Sequence, residues 1–199
     1  SVNSRGGGLR VNGATLTGAN LIITGNRAAS TGGGIHIGGT GSTVSLVNTL
    51  MAGNLSSLGS AAYTESPLAL TNTVLVGNAG ATVVLRANGG PITLQTTTAT
   101  RNSGPVAGAV NASLTVQNSV LWGNNAGGPQ LVLGDSDSSV DLANVLVQGG
   151  TTTGVNDTNG FIAGSVNVID ADPQFADPDG LDNTEIGRAS CRERVYTKV

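Results

Sequence analysis

An eleven-position pattern of apolar and polar residues recurs along the chain, and its clearest copy is Val44 to Asn54, VSLVNTLMAGN. Centred on Asn48, the same frame falls on Asn20 in LTGANLIITGN, Asn72 in LALTNTVLVGN, Asn118 in LTVQNSVLWGN and Asn144 in VDLANVLVQGG. Thr96 takes the central place in ITLQTTTATRN, and Asp170 takes it in a degraded last copy. Each copy opens with alternation, as in Val44 and Leu46, Leu68 and Leu70, or Leu114 and Val116. Period two predicts a strand with one buried face. The central asparagine tolerates a left-handed backbone, which predicts a corner.

A second short apolar run follows the corner. Its third residue is apolar in all six clear copies (Ile23, Met51, Leu75, Ala99, Leu121, Val147) and is placed inside. The second residue (Ile22, Leu50, Val74, Val120, Leu146) is nearly as apolar, so the pattern leaves open which of the two faces inward. The run closes on Gly-Asn at 25/26, 53/54, 77/78 and 123/124, with Arg101-Asn102 and Gly149-Gly150 in the divergent copies, and reads as turn chemistry. A further short strand precedes each frame: Leu9 to Val11, Ile35 to Ile37, Val83 to Leu85 and Leu131 to Leu133.

Three short strands and their corners recur at a spacing of roughly 25 residues, which predicts an all-β fold, a right-handed parallel β-helix of six or seven coils. Stacking at about 4.8 Å per rung would set Asn20, Asn48 and Asn72 in one file, with Asn118 and Asn144 in another beyond Thr96. Residues 1–176 are read as this single solenoid. It is expected to continue upstream, because Ser1 to Arg5 enters a coil with no polar cap over the first core layer. Residues 177–184 read as an exit segment and 185–199 as a non-native tail, since EIGRASCRERV at 185–195 looks like translated sequencing adapter.

Composition agrees with a narrow core: 31 glycines, 3% aromatics and 11% charged residues among 199. The formal net charge is −3, and through Thr184 there are ten acids against five arginines and no cysteine. An acidic chain with no basic run predicts no nucleic-acid partner, and no apolar stretch is long enough to span a membrane. A cysteine-free acidic solenoid suits an extracellular protein, and a monomer is expected.

Carboxylates that could do chemistry are few. Glu65 and Asp135 fall three coils apart, roughly 14 Å at the rung spacing, whereas a glycosidase pair needs about 5 to 9.5 Å. Asp135 and Asp137 are near enough in sequence to act as acid and base or to hold Ca²⁺, although Gly-Asp-Ser-Asp-Ser-Ser is also an ordinary turn. Asp170, Asp172, Asp177, Asp179 and Asp182 form the densest acidic run and the other candidate for Ca²⁺, against a bland reading as Asp-Pro turns. No cofactor is otherwise expected. The single histidine, His36, reads as an exposed strand residue one coil from Arg10, with no carboxylate that could orient it. Threonines crowd into one coil, Thr93 to Thr100, which argues against an ice-binding face.

GGGI, then a strand, an asparagine corner and Gly-Asn resembles the Gly-Gly-x-Ile and x-x-x-Asn repeats of bacterial surface β-helices, including polymorphic outer-membrane proteins of the chlamydial type. DADPQFADPDG, Asp170 to Gly180, resembles the segment that ends the β-helix in choice-of-anchor Q proteins. The resemblance implies a bacterial cell-surface or secreted stalk or passenger segment that contacts polysaccharide or host glycan without catalysis. The rival expectation is a fragment of a polysaccharide lyase or glycoside hydrolase.

Overall fold

The computed structural model describes residues 4–80 and 82–175. The chain winds as a parallel β-solenoid of about seven turns. Every strand pairing is parallel and joins one coil to the next. A seven-stranded sheet stacks Leu9–Asn12, Ile35–Gly38, Ala62–Thr64, Leu85–Asn88, Ala107–Val110, Leu131–Leu133 and Val155–Asn156. The strands before and after the corner form a second, ten-stranded sheet. Among the described residues, one short 3₁₀ turn, Asn125–Gly127, is the only helical element.

The corner is a single residue. Asn20, Asn48, Asn72, Thr96, Asn118, Asn144 and Asn167 all take a left-handed φ of 48 to 57°. One such residue turns the chain without ending the ladder, so Thr43–Ala52, Leu68–Val76 and Ser139–Val147 each run through the bend as one strand. The last corner is Asn167, not Asp170, because Asn167 donates to Asn144 Oδ1 at 2.9 Å. A bulge between Val140 and Asp141 and their partners shifts the register of that final strand by one residue. The bulge accounts for one residue only; the frame fails there because the last coil is short, 23 residues from Asn144 to Asn167 against the 26 that Asp170 would require.

Inward columns follow the alternation. Leu46, Leu70, Leu94, Val116 and Leu142 stack in one column; Met51, Leu75, Ala99, Leu121 and Val147 stack in another, all buried. Of the two apolar residues after the corner, the third therefore faces in. The second faces out, with Ile22 74% and Val74 39% exposed. Between corner and column, Thr49, Thr73, Thr97 and Ser119 are buried and donate their hydroxyls to the carbonyl two residues earlier. Buried hydroxyls need that partner.

The predicted corner files exist. Asn48 Nδ2 donates to Asn20 Oδ1 at 3.1 Å, Asn72 to Asn48 at 2.7 Å, and Asn144 to Asn118 at 3.3 Å, all on the exposed side. A second ladder lies inside the solenoid, built from the Gly-Asn positions that read as turn formers. Asn26, Asn54, Asn78, Asn102 and Asn124 stack one per coil, and the last four are 0 to 3% exposed. From Asn54 onward, each Oδ1 accepts both the backbone N–H and an Nδ2–H of the asparagine one coil earlier; Asn78 Oδ1, for instance, accepts from Asn54 N and Asn54 Nδ2 at 3.0 Å. The second amide hydrogen goes back to a strand carbonyl: Asn54 to Ile23 O, Asn78 to Met51 O, Asn102 to Leu75 O. The file ends where the next copy has Gly149-Gly150, and there Gln130 supplies its own Oε1 to Asn124 at 2.8 Å.

The glycine triplets serve the same stacking. Gly32 turns with φ +65°, and a Cβ on Gly33 would sit 2.4 Å from Ser60 O and 2.6 Å from Leu55 O. The strand in the third coil covers Ala62–Thr64, and the fourth starts at Leu85 rather than Val83.

Two mutational outcomes follow. Asn78→Ala should cost about 3 kcal/mol or more, since it orphans the amide donors of Asn54 and an acceptor at Met51. Asn72→Ala, at the exposed corner, should cost about 1–2 kcal/mol, chiefly from left-handed strain. Urea denaturation midpoints order the two, and a reversed order would refute the inner ladder's dominance. Thr96→Asn should raise stability by about 1 kcal/mol, because a β-branched residue now holds φ 52° and the change would relieve it.

Candidate functional site

On the first sheet, the residue between the two inward positions of each strand faces out. Register stacks these as Arg10, His36, Tyr63 and Arg86 on four successive rungs, followed by Gly108, Val132 and Asn156. Only the first four carry charge or rings. Within this outward file, charge and rings are therefore confined to four successive rungs.

His36 and Tyr63 stack with ring centroids 5.2 Å apart and planes within 6°. Thr31 Oγ1 lies 3.0 Å from His36 Nδ1 and so restrains the ring. Tyr63 Oη donates to Glu65 Oε1 at 3.4 Å. A Cβ on Gly38 would lie 3.1 Å from His36 Nε2 and 3.3 Å from Glu65 Oε2, so the missing side chain leaves the space on which both groups converge. His36 is 2% exposed rather than solvated, and a carboxylate does stand near it. The sequence expectation for this residue is thus corrected on both points. Its neighbours in the file and Thr31 cover it, and the strand carrying Tyr63 brings Glu65 alongside.

Burial is the largest influence on His36 and lowers its pKa below 6.5; Glu65 opposes this, and Arg5 and Arg10 reinforce it. Burial likewise raises Tyr63 above 10.0, helped by the charge and hydrogen bond of Glu65 and opposed by Arg86 and Arg5. A neutral imidazole and a neutral phenol form the floor, and the exposed Arg10 and half-buried Arg86 flank it.

The carboxylates singled out from sequence stand elsewhere. Asp135 Oδ2 accepts the backbone N–H of Asn111 at 2.8 Å and Oδ1 accepts from the Ser138 hydroxyl. That hydroxyl, and then the amides of Asn111, Asp137 and Ser138, hold its carboxyl below the ordinary value. Asp135 ties one coil to the next. Asp137 is exposed on the same turn. Asp170 Oδ1 accepts from Gly149 N at 2.9 Å, and Asp172 Oδ1 from Gln174 N at 2.8 Å. Asp177, Asp179 and Asp182 lie outside the described residues. Among the described residues, no three His, Cys, Asp or Glu side chains are grouped so as to hold a metal ion.

Arg10, Tyr63, Glu65 and Arg86 were not legible as one group. The signal that could have joined them is the alignment of Ile35–Ile37 with Ala62–Thr64 and Leu85–Ala87, but Ala-Tyr-Thr carries no alternation to anchor it.

The fold and this face define a parallel β-solenoid with a localised polar and aromatic file on one sheet. Comparison with models of known families, with curated proteins and with solved structures finds no match.

The depressed His36 pKa fixes the sign of a pH effect. The unfolded chain takes up a proton near pH 6.5 while the folded chain resists, so stability is complete above that pH and is lost as pH falls toward the folded pKa. His36→Gln should flatten this part of the profile. Thermal melts from pH 8 to 5 of both proteins test it, and parallel curves would refute the burial effect.

Proposed function

We propose that this chain is a segment of a bacterial cell-surface or secreted β-solenoid that contacts glycans through the outer face of its first sheet, without catalysis. The observation that carries the reading is the Arg10–His36–Tyr63–Arg86 file. Its rungs advance by about 4.8 Å, close to the advance per ring of an extended polysaccharide, so Arg10 and Arg86 at the two ends can meet separate sugars across the covered His36–Tyr63 floor. Glu65 adds an acceptor for sugar hydroxyls beside it.

Burial favours binding over chemistry. A general base must reach the proton it removes, and His36 is almost fully covered while Asp135 is bound to its own turn. The resemblance of the repeats and of the Asp-Pro-x-Phe segment to bacterial surface β-helices supports the same reading and its surface location. No helix of the described residues is long and apolar enough to cross a membrane.

On an array of plant, bacterial and host polysaccharides, the chain should bind at least one class and release neither reducing nor unsaturated ends. Binding to none would refute the proposal. Product release that disappears in His36→Gln or in Asp135→Ala/Asp137→Ala would replace it with the lyase or hydrolase reading.

A further inference from the structure

Charge is segregated along the solenoid. Every arginine of the described residues falls between Arg5 and Arg101, and every aspartate falls at Asp135 or later. Glu65 is the only acid in the first half. Three of the arginines, Arg5, Arg10 and Arg86, lie within electrostatic reach of the His36–Tyr63 stack. An acidic chain thus carries a locally cationic surface at its aromatic file, where the whole-chain charge would suggest none.

The guanidinium groups are available. Arg10 is exposed, Arg86 is half-buried, and among the described residues neither is engaged in an ion pair. Between them the stacked rings fill the two intervening rungs and hold the arginines apart. Three rungs of about 4.8 Å give a span of roughly 14 Å. A single phosphate or carboxylate can occupy one end only. A linear polymer carrying anionic groups at intervals can occupy both.

We infer that this file takes a linear polyanionic glycan, with rings bearing carboxylate or sulfate, laid along the solenoid axis with acidic groups on Arg10 and Arg86. The inference rests on the glycan-contact reading and narrows its ligand class. Arginine suits both anions, since its planar fork donates two parallel hydrogen bonds to an oxyanion. Nucleic acid fits less well. Single strands are held by bases stacking on aromatic faces, and here the facing surfaces of His36 and Tyr63 are spent on each other.

The test measures binding of the full chain to immobilised polygalacturonate, heparin, neutral dextran and a single-stranded oligonucleotide. The expected result is binding to polygalacturonate, heparin or both, weakening with added salt. Arg10→Ala/Arg86→Ala should weaken it about tenfold or more, while Arg27→Ala, an exposed arginine outside the first sheet, should leave it unchanged. Preference between polygalacturonate and heparin distinguishes carboxylate from sulfate. Arg10→Gln/Arg86→Gln, with melting midpoints for both double variants, separates lost binding from lost folding. Equal binding to dextran, or unchanged affinity in both double variants, overturns the polyanion assignment and leaves glycan contact standing. Tighter binding to the oligonucleotide overturns it in favour of nucleic acid. Binding to no glycan overturns this inference and the reading beneath it.

Discussion

The internal asparagine ladder is the constraint on which the rest of the structure depends. A parallel solenoid leaves polar backbone of each turn facing a buried apolar core, and every such group needs a partner. Asn54, Asn78, Asn102 and Asn124 meet that need with one residue per coil, each amide using both hydrogens and its oxygen in bonds to the coils before and after. Because Oδ1 accepts the preceding coil's backbone N–H, the amide has one orientation, and the coil spacing is set wherever the ladder runs. Loop lengths can then vary freely without disturbing the stack.

The two ladders run in opposite senses. At the exposed corner the Nδ2 groups donate toward the preceding coil, whereas inside they donate toward the following one. Their environments differ as well. A bond at the exposed corner competes with water, so Thr96 can replace asparagine there and break the file without breaking the fold. The buried file has no such latitude, and its far end is closed by Gln130, whose amide reaches into the place of the missing asparagine and passes its own hydrogens to Gly128 O and Asn124 O.

A fixed coil spacing is also what makes the outer face useful. Arg10, His36, Tyr63 and Arg86 are separated in the chain by loops of unequal length, yet they occupy one file because the ladder and the parallel register bring equivalent positions together. Covering by neighbours turns His36 into a neutral, rigid floor instead of a solvated base. The exposed apolar positions after the corner, Ile22 and Val74 among them, show that the other outward faces are not equivalent to this one.

Periodicity alone determined the solenoid, six of its seven corners, the inward column before each corner and the exposed asparagine file, because these depend on residue type at a recurring position. What the tertiary structure decided depends on which coil lies against which. The role of the Gly-Asn positions changed from turn former to buried ladder, since a turn asparagine and a stacked one read alike until the next coil is placed. The last corner moved to Asn167 because corners 22 to 28 residues apart leave the frame free to slide, and only pairing with Asn144 fixes it. The Arg–His–Tyr–Arg file emerged for the same reason: Ala-Tyr-Thr has no pattern of its own, and only the register with Ile35–Gly38 and Leu85–Asn88 puts Tyr63 between a histidine and an arginine.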